Sequence, residues 1–200
     1  MNPNDKRFVK NEKLMRDTFM QMLTEKRYAE ITVNELCERA YISKNAFYYH
    51  HTNMDDLLKS IMNELFEDMI KIFGDSIYFE DGPTSEGEPF DIKATFDYFG
   101  DMADFFYPFF LRDDEIGFTS RIVFALKKAM FSKINLDKSK NMDLIMLTDY
   151  VLFGSLSFVK SWILNKEYIN KEDAMKLYKN IHKTTATKLL EIGTRIHSLQ

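Results

Sequence analysis

The chain is poor in every residue type that staples or breaks structure. Its 200 residues include one cysteine, so no internal disulfide can form and a disulfide-framed secreted scaffold is excluded. Seven glycines and four prolines are too few for a low-complexity or linker-dominated chain. Uninterrupted apolar runs such as Val151-Leu152-Phe153 fall far short of the roughly 20 residues that cross a bilayer. The opening residues Asn2, Pro3, Asn4, Asp5, Lys6 and Arg7 lack the apolar core of a signal peptide. A cytoplasmic protein without a membrane partner is the expectation. Catalytic signatures are missing too. Gly154-Ser155-Leu156-Ser157-Phe158 has neither the second glycine nor the flanking strand of a nucleophile elbow. Histidines 50, 51, 182 and 197 have no zinc-ligand partners at useful spacing. No glycine-rich phosphate loop is present. No enzyme activity, metal or cofactor is therefore expected.

What the chain does have is 45% hydrophobic residues, enough for a real core. Long stretches of Leu, Met, Lys and Glu with little Val favour an all-α fold, which the pattern resolves into about nine helices. The first spans about Arg7 to Glu25, with Leu14, Met15, Thr18, Phe19, Met22 and Leu23 as its core stripe. Thr32-Val33-Asn34-Glu35 fits a capping box. Val33, Leu36, Cys37 and Ala40 then make one apolar face of a short helix, on which Cys37 is a small core residue. Tyr41-Ile42 is a turn that cannot rely on a residue free to take positive φ. Ser43 caps another short helix, Lys44 to about His50, with Phe47 inward and Lys44, Asn45, Tyr48, Tyr49 and His50 outward. A fourth helix starts after the caps Thr52-Asn53 and continues to about Ile72.

Residues 31–58 thus predict two short helices joined by a tight turn, the second exposing Lys, Asn, Tyr and His, which suits a DNA major groove. The stretch Ala40 to His50 resembles the turn and recognition helix of the TetR family of bacterial transcription regulators, where a Ser, polar residues and a Phe-Tyr pair are usual. Glu25-Lys26-Arg27-Tyr28 and Ile31-Thr32-Val33 are similar to that family's link between its first two helices. Tyr41, His51, Met54 and Asn34 depart from the common pattern. The resemblance implies a three-helix DNA-binding head, residues 1–52, and a helical effector-binding and dimerisation body, residues 53–200. It also implies double-stranded operator DNA as partner. Lys44 and Asn45 can reach base edges and Tyr49 a thymine methyl; Tyr48 and His50 are expected at phosphates, and Thr32 and Ser43 are further candidate DNA-binding residues.

Charge fits this division. Residues 1–52 hold nine Lys and Arg against seven Asp and Glu, a net of +2, leaving −6 of the total −4 for the remainder. So small an excess must act through placement and through two copies. In the body, residues 80–91 read as an exposed loop. Ile92, Phe96, Phe99, Ala103, Phe106 and Phe110 repeat at helical spacing, beside an acidic face of Asp97, Asp101 and Asp104, with Pro108 expected to bend or restart the helix. Arg112 to Gly117 reads as a turn, Phe118 to Ile134 and Met142 to Asn165 as helices, and 171–197 as the last helix.

Core packing explains most of these phenylalanines. Members of the family also hold a small-molecule pocket in the body. Phe96, Phe99, Phe106, Phe110, Phe124, Phe153 and Trp162 are the candidate walls. Residues 75–115 carry twelve acids and two bases, which either marks a cationic or aromatic effector or is a solvated acidic flank. The resulting expectation is a homodimeric repressor on a palindromic operator, released by a small molecule. The alternative is a regulator of the same fold that works through a protein partner and has no pocket.

Overall fold

The computed structural model describes residues 6–73, 92–132 and 141–181. The expected loop at 80–91, the end of the helix at 133–134, and the last helix beyond 181, with His182 and His197, lie outside the described residues. Within them the chain is all-α, with no strand. The helices are α1 (Lys6–Glu25), α2 (Val33–Arg39), α3 (Lys44–His50), α4 (Met54–Phe73), α5 (Ile92–Asp101), α6 (Ala103–Leu111), α7 (Asp113–Ile116), α8 (Phe118–Ser132) and α9 (Met142–Leu164). A tenth, α10, is described over 171–181.

The chain divides into two compact units. One comprises residues up to Leu65 together with Tyr107–Phe118; the other comprises Phe66–Phe106 and the residues from Thr119 on. Residues 1–52 lie in the first, which also takes in most of α4 and the later segment around α7. Its core is Met15, Phe19, Met22 and Leu23 of α1, Leu36 and Cys37 of α2, Phe47 of α3, and Leu57, Leu58 and Ile61 of α4, all buried. Fully burying one such side chain contributes about 1.5–3 kcal/mol. The caps are local. Asn53 Oδ1 accepts from Asp56 N–H at 2.9 Å, and the Asp56 carboxylate accepts from Thr52 N–H at 2.8 Å, so each satisfies a helix-start donor of α4 or its flank.

The segment 107–118 joins this unit through polar contacts as well as apolar ones. Arg112 Nε–H donates to the Leu23 carbonyl at 2.9 Å, satisfying an acceptor in the last turn of α1, where a cation also meets the negative end of the helix dipole. Glu115 accepts from Tyr28 N–H at 2.9 Å and pairs with Arg27 at 3.2 Å. Phe109 stacks on Phe118 with ring centroids 4.6 Å apart. The expected turn at 112–117 is instead a single helical turn, α7, closed by Gly117 at φ 64, whose N–H bonds the Asp113 carbonyl. Three acids in four residues favour the N-terminal end of a helix, and glycine tolerates the left-handed stop.

In the second unit α5 lies against α9. Gly100 permits this closeness: a Cβ there would stand 3.2 Å from a Trp162 ring carbon. Phe96 packs on Trp162 (5.0 Å), Tyr178 (5.4 Å) and Phe158 (6.2 Å). The expected break at Pro108 falls at Met102 instead, and Pro108 sits inside α6. The acidic face is partly neutralised by lysines distant in sequence. Asp97 holds Lys171 at 2.6 Å and Lys93 at 2.5 Å, and Asp104 holds Lys166 at 2.6 Å.

The 23-residue α9 is long and apolar enough, by length and composition, to cross a membrane. A search for unbroken apolar runs misses it because Asp149 and Lys160 interrupt the run. It presents two faces. Leu144, Thr148, Val151, Leu156, Val159, Trp162 and Ile163 are buried, whereas Met142, Met146, Tyr150 and Phe153 are 50%, 65%, 67% and 43% exposed. A helix apolar all round is hard to orient from sequence.

Candidate nucleic-acid interface

Thr32 caps α2, its hydroxyl accepting from Glu35 N–H at 3.3 Å. The reciprocal half of the expected capping box differs. The Glu35 carboxylate lies on Lys26 Nζ at 2.6 and 2.7 Å and on Arg39 at 3.0 Å, and the Lys26 hydrogen bond is the main cause that holds Glu35 below the usual carboxylate range. Arg39 also pairs with Glu25. A formal charge outweighs a neutral N–H as a partner for a carboxylate.

The turn that follows is a Schellman motif. Ile42 N–H bonds the Cys37 carbonyl at 3.0 Å and Tyr41 N–H the Glu38 carbonyl at 3.2 Å, which places Tyr41 at the position that glycine usually takes. Tyr41 adopts φ 54 and is 96% exposed. The expectation that this turn avoids positive φ is therefore corrected. The left-handed region is costly for a tyrosine, not forbidden, and the two backbone bonds hold it there.

Ser43 then caps α3, its Oγ accepting from Ala46 N–H at 3.1 Å. Phe47 is the inward residue, fully buried. Lys44 and Asn45 at the first turn are exposed, and Tyr48 and Tyr49 follow at 57% and 52%. Thr32 and Ser43 are exposed as well. Each hydroxyl accepts a backbone N–H and keeps its own proton to donate, for example to a phosphate. Arg7, Lys10 and Lys13 stand exposed on α1. Arg16, Lys26, Arg27 and Arg39 are engaged by carboxylates.

His50 is placed differently from its neighbours. Its side chain is 2% exposed and stacks on Phe8 at 3.8 Å, so the ring is not presented outward as the sequence predicts. Its Nδ1 lies 3.0 Å from Glu12 Oε2 but is poorly aimed for a hydrogen bond. Burial pushes its pKa down, against the pull of Glu12. The next residue, His51, is buried, and its Nε2 meets the same Glu12 oxygen at 2.9 Å. The other Glu12 oxygen takes Arg16 Nε–H at 2.6 Å, and Arg16 continues to Ser60 at 3.1 Å and to Glu64. Partial burial alone would raise the Glu12 pKa; hydrogen bonds from His51 and Arg16 bring it down to about 2. Sequence analysis missed this cluster. The one signal was a pair of adjacent histidines where an apolar residue is common.

The candidate effector residues are divided between the two units. Phe96, Phe99, Phe106 and Trp162 are buried in the second unit, with Phe99 and Phe106 rings 4.6 Å apart. Phe110 belongs to the first unit, packed against Phe118 at 5.4 Å. Phe124 is 71% exposed, and Phe153 is exposed too. Helical spacing reports which residues share a face, not which face is inside.

Residues 17–61 match the family described as bacterial regulatory proteins, tetR family. No curated protein sequence matches the chain. Among solved structures, the dihydroxyacetone kinase operon activator DhaS is similar, at 17% identity and a TM-score of 0.53, over 90% of this chain and 96% of that one. At that identity the likeness speaks to the fold alone.

Tyr41→Gly is expected to stabilise the protein. A left-handed non-glycine residue costs roughly 1–2 kcal/mol, and the added chain entropy of glycine returns roughly 0.5–1 kcal/mol of that. A gain of up to about 1 kcal/mol in urea denaturation is the expected result, while Tyr41→Ala, which keeps the strain, gives none. Equal effects of the two substitutions would show that the turn carries no strain.

Proposed function

We propose, from the premise that this chain is a DNA-binding transcription regulator with a TetR-family head, that it acts as a homodimer whose two α3 helices read the half-sites of a palindromic operator. The observation that carries this reading is the outer face of α3. Lys44, Asn45, Tyr48 and Tyr49 are all exposed on a helix whose opposite side is anchored by buried Phe47. Lys44 and Asn45 lie at its start, the end that enters a major groove. Lys can donate to guanine O6 and N7, and Asn can pair with adenine. Tyr48, Ser43 and Thr32 serve phosphates, which fix orientation without carrying sequence. A DNA-bound regulator with one free, buried cysteine, Cys37, suits a reducing cytoplasm.

The homodimer is supported by α9. Its outer stripe of Met142, Met146, Tyr150 and Phe153, continued by exposed Leu177 and Ile181 on α10, is a surface that a second copy can cover. A Cβ at Gly154 would meet open space, so the position is available for close approach of another helix. Two heads must be tied about 34–36 Å apart to meet successive half-sites.

Two modes of control follow from the fold. Repression released by a small molecule would use the aromatic cluster of Phe96, Phe99, Phe106 and Trp162. Control through a protein partner, including activation, is favoured by the scattering of the other candidate walls, by the exposed Phe124, and by the pairing of Asp97 and Asp104 with lysines, which removes much of the case for a cationic ligand. The structurally similar DhaS is named an operon activator.

Binding-site selection on random duplex DNA tests the reading. Lys44→Ala or Asn45→Ala should each cost about 1–3 kcal/mol on the selected site and blur one base position per half-site. Tyr48→Phe should weaken all sequences evenly. Unchanged affinity and preference in both alanine variants at fixed salt would remove α3 as the reading helix.

Gly154→Arg tests the dimer. The single chain has room for the side chain and gains helix propensity of about 1 kcal/mol. A buried helix contact would instead be charged by an unpaired cation, costing about 3–5 kcal/mol. Sedimentation should show a wild-type dimer at micromolar concentration and a folded monomeric variant; a variant that stays dimeric places the interface elsewhere.

A thermal-shift screen separates the modes of control. Ligands that bind the folded state alone raise its melting temperature, by about 2.7 kcal/mol of stabilisation at a hundredfold excess over Kd. A shift abolished by Phe96→Ala or Trp162→Ala supports the small-molecule mode. No shift with amines, aromatic cations, acyl compounds or sugars supports the protein partner.

A further inference from the structure

Two imidazoles and one guanidinium converge on a single carboxylate at the back of α3. Glu12 Oε2 is 2.9 Å from His51 Nε2 and 3.0 Å from His50 Nδ1, while Oε1 accepts from Arg16 at 2.6 Å. Both histidine side chains are nearly closed to solvent, at 2% and 6% exposure. His50 is the last residue of α3 and His51 its C-cap, whose N–H bonds the Phe47 carbonyl. Whatever holds these two rings therefore holds the end of the helix opposite to Lys44 and Asn45. We propose that Glu12 positions α3 for DNA through His51 and His50, and that DNA affinity falls in mild acid as this grip loosens. The inference rests on α3 being the DNA-reading helix.

Burial of the rings, set against the charges around them, decides the sign. From α1 come Glu12 and Arg16; from α4 come Glu64, through Arg16, and Asp56, which is close enough to His51 to feel its charge. Glu12, Arg16, Glu64 and Asp56 sum to −2, but Arg16 already meets both Glu12 and Glu64, and Asp56 accepts from Thr52 N–H. A proton on His50 therefore places a cation on a ring that is 2% exposed and 6.1 Å from the His51 ring, where water cannot solvate it. His50 carries the mark of this: burial holds it below the usual 6.5, against the pull of Glu12 and with the neighbouring His51 charge adding to the depression. A depressed histidine contributes stability that is complete above its usual value and is lost as pH falls through the folded one. Glu12, lowered from 4.5 to about 2, loses its contribution only below about pH 4.5. Changes between pH 7.5 and 5.5 therefore do not come from Glu12. Bulk electrostatics has the opposite sign, because acid makes the protein more cationic and DNA binding stronger.

The test measures affinity for the best duplex recovered by selection, and for an unrelated duplex of equal length, from pH 7.5 to 5.5 at fixed salt, with the melting temperature at each pH. Full-length wild type is expected to lose about tenfold on the selected duplex, roughly the scale of one buried proton coupled to binding. Glu12→Gln should weaken binding already at pH 7.5 and flatten the profile. His50→Asn keeps a polar group near Glu12 but cannot titrate, so it should retain affinity at pH 7.5 with less loss in acid. A selective wild type whose profile is unmoved by either variant, even if their melting temperatures drop, overturns the inference and leaves α3 as the reading helix. A wild type that prefers no duplex overturns both.

Discussion

A seven-residue helix cannot hold itself. Isolated helices shorter than about 12–15 residues are marginal in water, and α3 is half that length. Its existence and direction are supplied by others: the Ser43 cap at one end, the burial of Phe47 on its inner side, and the two histidines on Glu12 at the far end. Once those contacts are made, Lys44, Asn45, Tyr48 and Tyr49 have only the outer face left to occupy. The placement of that outer face is thus set largely by the elements around α3, and substitutions far from it can alter it.

The parts that were legible in the sequence are those fixed locally. The limits of α1 to α4, the caps at Thr32, Ser43 and Asn53, and the inward Phe47 follow from spacing and cap chemistry within a few residues. The parts that were not legible depend on partners distant in sequence. Glu12 and His51 are 39 residues apart and Leu23 and Arg112 are 89 apart, and nothing in either neighbourhood announces the other. Tyr41 is a different kind of miss. A rule about φ ranks costs, and two well-made backbone bonds at 3.0 and 3.2 Å can outweigh a cost of one or two kcal/mol. In the body, Phe96 and Phe153 look alike as sequence. One is fully buried and the other 43% exposed, because a helix with apolar residues on every side gives its period no polar face to point outward. The acid count is incomplete for a related reason: it stops at residue 115, and the lysines that answer Asp97 and Asp104 are Lys171 and Lys166.

The same chain therefore uses two kinds of specification. In the first unit, charged pairs and caps fix angles: Arg16 bridges α1 to α4, Lys26 and Arg39 brace α2, and Arg112 closes the end of α1. In the second, aromatic rings on α5, α6, α9 and α10 fill volume through edge and tilted contacts.

The first unit is not continuous in the chain. Leu23, Tyr28 and Arg27 find partners on Arg112 and Glu115, more than eighty residues downstream, and α6 begins in one unit and ends in the other. No single cut releases this unit intact: a fragment ending after α4 leaves the Leu23 carbonyl without its guanidinium and the Tyr28 amide without its carboxylate. Chimeras that exchange heads between related regulators at a linear boundary would sever this stitch. A graft that respects it must carry two segments, the residues up to Leu65 and Tyr107–Phe118.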